Sequence, residues 1–171
     1  MHEPTVSLSA AAPTSEPVPV AIRLLRRLNP LIATLLRSPL HGLMSRDLLL
    51  LTYVGAKTGT RRTLPLSYVE VAGRVYLCTR SSLWWRNLRN GRAVEVHLRG
   101  TRTTATPVVV DVATPEALDA LRAFLTANPK TGEMLYQVRS GPERRPLEDD
   151  LRREVLRSIV VRLDVTPAQR R

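Results

Sequence analysis

The run "LLLLTYVGAKTGTRRTLPLSYVEVAGRVYLC", residues 48–78, decides how this chain is read. Its opening, extended by one residue as "DLLLLTYV" (47–54), is a continuous apolar stretch, the pattern of a strand covered on both faces. Two further strand patterns follow, "TLPLSYVEV" (63–71) and "RVYLCT" (74–79), joined by the hairpin signal Ala72-Gly73. Between the first two lies "GAKTGTRR" (55–62), which holds two glycines, one lysine and two arginines. Closing a hairpin takes only two turn residues, so three cations in this loop call for a reason of their own.

Working outward, "WWRNLRNG" (84–91) is too short and polar for a core strand and reads as one or two helical turns closed by Gly91. "AVEVHLRG" (93–100) alternates, with Val94, Val96 and Leu98 on one side and Glu95, His97 and Arg99 on the other. It turns at Gly100-Thr101 into "RTTATPVVVDV" (102–112), where Pro107 points to an edge or a bulge. Thr114, Pro115 and Glu116 carry the cap, first-turn and dipole signals of a helix running to Asn128. Leu118, Leu121, Phe124 and Leu125 form its apolar stripe. A weaker helix, "LEDDLRREVLR" (147–157), precedes a last strand, "SIVVRLDV" (158–165), which sets Ile159, Val161, Leu163 and Val165 on one face. Five antiparallel strands joined by hairpins, with a sixth returning after helices, make a small, mostly-β barrel with helical additions.

Towards the other end, "VAIRLLRRLNPLIATLLR" (20–37) reads as an amphipathic helix interrupted at Pro30, with Arg23, Arg26, Arg27 and Arg37 among its leucines. Such a helix can lie on a membrane surface or pack across the domain with its arginines in water. Residues 1–19 read as a Pro/Ala/Ser-rich flexible arm. The expected organisation is thus an arm (1–19), one domain (20–166) and a short tail (167–171). The single cysteine, Cys78, excludes an intramolecular disulfide and a cysteine-rich metal knot. No run approaches the roughly 20 apolar residues of a membrane span, and a cytoplasmic protein is expected, with contact to the inner membrane face through residues 20–37.

Of the net charge of +11, essentially all resides in residues 21–110, where 15 Lys and Arg face 3 Asp and Glu. Such a surplus favours an anionic partner. Nucleic acid fits poorly, because aromatics make up only 4% of the chain and few bases could stack. Hydrolytic chemistry finds no support either. His2, His41 and His97 lack metal-ligand spacing, and G-x-S-x-G, H-E-x-x-H and C-x-x-C are all absent. The lysine of "GAKTG" is wrongly spaced for a Walker loop, and no G-x-G-x-x-G opens a helix. An enzyme of this sequence would draw its chemistry from a bound cofactor.

Gly55 and Gly59 can take unusual backbone angles and expose N–H groups. Lys57, Arg61 and Arg62 add charge, and Thr58, Thr60 and Thr63 add hydroxyls. The set is either a cradle for phosphate or carboxylates or a solvated hairpin tip.

These motifs resemble one family. "LTYVGAKTGTRRTLPLSYV", followed by "YLCTRSSLWWRNLRNG" and "AVEVHLRG", looks like the deazaflavin (F420)-dependent nitroreductase and quinone reductase family, with its G-x-K-[ST]-G-x-x-R-x-x-P loop and later W-x-x-N-L segment. Gly55, Lys57, Thr58, Gly59, Arg62 and Pro65 match the first pattern, and Trp84, Asn87 and Leu88 the second. The resemblance spans about residues 20–165 and implies a split β-barrel, α+β but mostly β, with about six mainly antiparallel strands, an N-terminal helix and peripheral helices. It further implies F420 as cofactor, whose phosphate and oligoglutamate tail would be held by Lys57, Thr58, Gly59 and Arg62, with Arg61 as neighbour. By the same resemblance the backbone at Leu64, Pro65 and Leu66 would lie along the ring system. Thr79, Arg80 and Ser81 would line the pocket, and Trp84, Asn87 and Leu88 would close it.

The implied reaction passes a hydride to a hydrophobic, electron-poor acceptor such as a quinone, activated alkene or nitroaromatic. Ser81, Ser82 and Tyr136 are the candidates to hydrogen-bond the acceptor's oxygen. A departure from the family pattern is the short "TRSSLWW" (79–85), which lacks the usual Gly/Pro-rich insertion. An FMN-binding relative, or a non-catalytic carrier of a lipid or cofactor, would share the same frame. The chain is expected as a monomer or homodimer.

Overall fold

A computed structural model of the protein describes residues 47–166. The expected arm at 1–19, the amphipathic helix at 20–37 and the tail at 167–171 lie outside the described residues. Seven strands form one antiparallel sheet: β1 (Leu48–Val54), β2 (Arg61–Ser67), β3 (Val69–Val71), β4 (Arg74–Thr79), β5 (Val94–Leu98), β6 (Thr101–Val110) and β7 (Ile159–Val165). Their order is β2-β1-β5-β6-β7-β4-β3. The two edge strands, β2 and β3, are separated in sequence by Tyr68 alone, so the sheet curls until its edges meet. That closure makes the split barrel.

Seven strands replace the six expected because "TLPLSYVEV" is not one strand. Leu49 pairs with Leu66 across β1 and β2, whereas Val69 pairs with Tyr76 across β3 and β4. At Tyr68 the chain leaves one sheet edge and joins the other, and the Tyr68 N–H donates to the Asp47 carbonyl at 3.2 Å. The sequential hairpin order also fails beyond β4. The returning strand β7 inserts between β6 and β4, so β4 never neighbours β5, and β5 pairs instead with β1. Pro107 sits where β6 has run past β5: only Thr101–Ala105 pair with β5, and Pro107 pairs with Leu163 of β7 alone. The edge inferred from this proline is local to the second half of a long strand.

Alternation of side chains builds two cores. Inside the barrel, Leu49, Leu51 and Tyr53 of β1 meet Leu77, Val96, Val161 and Leu163, with Trp84 and Leu88 packed among them. On the opposite face of β4 and β7, Tyr76, Cys78 and Val160 join the helical layer. That layer contains α1 (Pro115–Ala127) and α2 (Glu148–Val155), linked by a turn of wide, π-type winding at Gly132–Tyr136. β1 is covered on both sides, as its unbroken apolar run requires, for Leu50 is as buried as its neighbours.

The α1 boundaries match the sequence signals. Thr114 caps the helix, its hydroxyl accepting from the Ala117 N–H at 3.4 Å, and Pro115 opens the first turn. Leu121, Phe124 and Leu125 are buried, with Ala117 and Ala120 on the same face, while Leu118 is only half-buried.

Candidate functional site

The loop joining β1 to β2 is a tight turn built by its glycines. Gly55 N–H donates to the Thr60 carbonyl, and Gly59 N–H to the Gly55 carbonyl, both at 2.9 Å. Gly59 adopts φ +64°, the left-handed region that side chains disfavour. Gly55 leaves room for the Thr58 hydroxyl in its present position, since a Cβ there would come within 2.9 Å of it.

The tryptophan segment braces this loop. Residues Trp84–Leu88 form a short 3₁₀ turn that buries Trp84 and Leu88 in the barrel core. Asn87, one residue before Leu88, accepts a hydrogen bond from the Ala56 N–H at 2.9 Å through its side-chain carbonyl. The amide nitrogen of the same side chain donates to the Trp84 carbonyl at 3.0 Å. One asparagine therefore ties together two motifs 31 residues apart. A cleft of about 240 Å³ opens between them, lined by Tyr53, Val54, Gly55, Gly59, Asn87 and Arg92 among others.

The cations of "GAKTGTRR" separate into two kinds. Register places Arg61 opposite Val54 and Arg62 opposite Tyr53, so consecutive arginines leave opposite faces of β2. Arg61 lies on the outer face, at 2.8 Å from Glu95 of β5, which Arg102 also binds. Burial acts to raise the Glu95 carboxyl, but hydrogen bonds from Arg102 and Arg61 outweigh it and hold the group below the usual range. Arg62 shares the other face with Tyr53. Burial raises the Tyr53 hydroxyl above its ordinary value, and the Arg62 charge partly offsets that rise. Among the described residues no carboxylate pairs with Lys57 or Arg62, and both are exposed. Glu95 was not among the residues singled out from sequence. Strand parity separates Arg61 from Arg62, but only the register shows which carboxylate neutralises Arg61.

The remaining expected residues are spread more widely. Leu64 and Leu66 pack against the barrel core, and Pro65 takes the opposite face, opposite Leu50. Thr79 ends β4 in a buried position, and its hydroxyl accepts from the Ser82 N–H at 3.4 Å, ordering the short turn that carries exposed Ser81. Arg80 is committed elsewhere. It donates to the Leu135 carbonyl at 3.1 Å and approaches Glu154 of α2 at 3.3 Å. Tyr136 lies in the helical layer, its ring 5.9 Å from Phe124 in an edge-on arrangement. Burial pushes its hydroxyl far above the ordinary value. The structure thus brings Gly55–Arg62 together with Asn87, and sets Tyr136 across the sheet from Trp84.

The cradle suits an anion. It offers a glycine turn, hydroxyls at Thr58 and Thr60, and two cations, Lys57 and Arg62, with no carboxylate partner among the described residues. Such a donor set fits the phosphate and carboxylates of F420.

No curated protein matches the chain by sequence. Among solved structures, a chain described as a domain-swapped dimer superposes with a TM-score of 0.51 at 18% identity, covering 84% of this chain and 99% of that one. An F420-H2-dependent reductase matches at a TM-score of 0.44 and 20% identity, over 68% of this chain and 94% of that one. A conserved hypothetical protein from Mycobacterium tuberculosis gives 0.48 and 18%, over 82% and 80%. The first of these likenesses extends to the fold. The sequence model of the F420H(2)-dependent quinone reductases covers residues 38–147, which include the glycine loop, the tryptophan turn and both strands that carry Arg61 and Glu95. This chain belongs to the F420H(2)-dependent quinone reductase family.

Proposed function

We propose that the protein transfers a hydride from reduced F420 to a hydrophobic, electron-poor acceptor of the quinone type. The observation that carries this reading is the loop Gly55–Thr60, clamped by Asn87, with Lys57 and Arg62 left without carboxylate partners among the described residues. When bound, the reduced deazaflavin supplies a hydride, and the quinone that accepts it takes up a proton to become the hydroquinone. Lys57, Thr58, Gly59 and Arg62 hold the anionic portion of the cofactor, and Arg61, already paired with Glu95, stiffens the strand beneath. The backbone at Leu64, Pro65 and Leu66 lies along the ring, and Trp84 and Leu88 keep water from it. Ser81, exposed on the turn after β4, hydrogen-bonds the acceptor oxygen as charge develops. Proximity and orientation lower such a barrier by roughly 7–11 kcal/mol, so no strongly basic residue is needed.

The test is a fluorescence titration with F420, with FMN as control. Binding of F420 in preference to FMN, weakened at least tenfold (about 1.4 kcal/mol) by Lys57→Ala/Arg62→Ala, is the expected result. Unchanged affinity in the double variant would remove the site assignment. A preference for FMN would move the chemistry to flavin, and tight binding of F420 with no turnover of any quinone would make the protein a carrier.

A further inference from the structure

The tryptophan turn has an outer side that the cofactor reading does not use. Leu83 is 60% exposed, one of the few large apolar side chains left in water. In 3₁₀ winding, residues three apart stack on one face, which aligns Leu83 with Arg86 and Arg89, all three exposed. Trp85 is half-buried beside them. Two guanidinium groups flank its ring, Arg86 at 5.9 Å and Arg89 at 5.8 Å from the centroid. Arg92 continues the basic edge to the cleft, which it lines together with Val54, itself 56% exposed. No acidic residue occurs between Glu70 and Glu95. Among the described residues, Arg86, Arg89 and Arg92 have no carboxylate partner.

We propose that this surface (Leu83, Trp85, Arg86, Arg89 and Arg92, with Val54 at the cleft mouth) docks the protein on an anionic lipid bilayer. Each feature answers to that partner. An indole flanked by cations suits the headgroup level, where one side is apolar and the other wet. An exposed leucine inserts among acyl chains, and arginines at its sides meet lipid phosphates. A nucleic acid would use the arginines but leave Leu83 without a role, and Trp85 would be its sole nearby stacking ring. Because the surface borders the cleft, an acceptor dissolved in the membrane would reach the cofactor without crossing water. That last consequence rests on the function proposed above; the docking itself does not.

Flotation of the full chain with phosphatidylcholine vesicles, with and without about 30% phosphatidylglycerol, tests the surface directly. The expected result is binding to the anionic vesicles alone, suppressed at high salt. Leu83→Ser, and separately Arg86→Ser/Arg89→Ser, are expected to lower partitioning by about tenfold each. A blue shift of tryptophan emission on binding should accompany partitioning. Because the chain tested includes residues 20–37, equal flotation of wild type and both variants would overturn the proposal and assign any membrane contact to another part of the chain. Absence of binding to anionic vesicles would overturn it as well, as would a duplex-DNA gel shift abolished by the arginine variant in a protein that ignores vesicles. F420 titration of the same variants separates the two ideas. Retained affinity with lost flotation supports the surface, whereas failure of the wild type to bind F420 removes the function and leaves the vesicle result to stand on its own. Reduction of a vesicle-embedded quinone should fall in the variants, while a water-soluble quinone is reduced as before.

Discussion

At the residue scale, the two loop glycines make separable demands. Gly59→Ala forces a side chain into the left-handed region and should cost about 1 kcal/mol of stability. Thermal unfolding would show it as a lowered midpoint. Gly55→Ala meets only the hydroxyl of Thr58, which can rotate away, so its penalty should fall on the cradle. Its stability should move by under about 0.5 kcal/mol, while F420 affinity drops; an unchanged affinity would show that the Thr58 hydroxyl is not a ligand. Asn87→Ala breaks both hydrogen bonds that tie the tryptophan turn to the loop and should cost about 1–2 kcal/mol. Asn87→Asp would still accept from Ala56, but it could not donate to Trp84 and would bring negative charge to an anion site. It is therefore expected to bind F420 more weakly than its fold stability alone would suggest. Exposure separates two of the three hydroxyl candidates: Ser81→Ala should lower kcat with little change in KM, and Tyr136→Phe, in the buried helical layer, should leave kcat within about threefold.

At the element scale, α1 was legible because its signals are local. Thr114, Pro115 and Asn128 each act within a turn of the helix they bound. Strand order was not legible, because the insertion of β7 between β6 and β4 depends on contacts across some 80 residues, for which no short pattern codes. The glycine loop could be recognised, yet its charge pairing could not, since Glu95 reaches Arg61 only through the register of β1 with β5. The second helix carries its own pH signature. Hydrogen bonds from Arg139, and then from Arg153, hold the Asp150 carboxyl well below its ordinary value of about 3.9. A depressed native pKa gives stability that is full above the unfolded value and is lost progressively as pH falls from there through the native one. Asp150→Asn should therefore lower the melting temperature at pH 7, and its difference from wild type should narrow steadily as pH falls below about 4. A constant difference down to pH 2 would mean that Asp150 acts through packing alone.

At the scale of the whole molecule, closure depends on one residue. Tyr68 is buried in the barrel core, and its hydroxyl accepts from Arg99 at 3.2 Å. Tyr68→Ala should cost about 3 kcal/mol or more, as truncation of a buried aromatic generally does, and the loss would be read in chemical denaturation. Tyr68→Phe, which keeps the ring, should cost about 1 kcal/mol. Cys78 makes the complementary statement about the helical layer. Burial holds its thiol protonated, so the native protein should resist thiol reagents until it unfolds globally.

The passage of the chain from β2 to β3 through Tyr68 has a kinetic consequence. In an open sheet the two outermost strands are the first to fray, and they do so independently. Here they are successive lengths of one thread, so loosening either end pulls on the other. Amide hydrogens of Leu64, Leu66, Val69 and Val71 should accordingly exchange with solvent in a single cooperative opening, with one shared protection free energy.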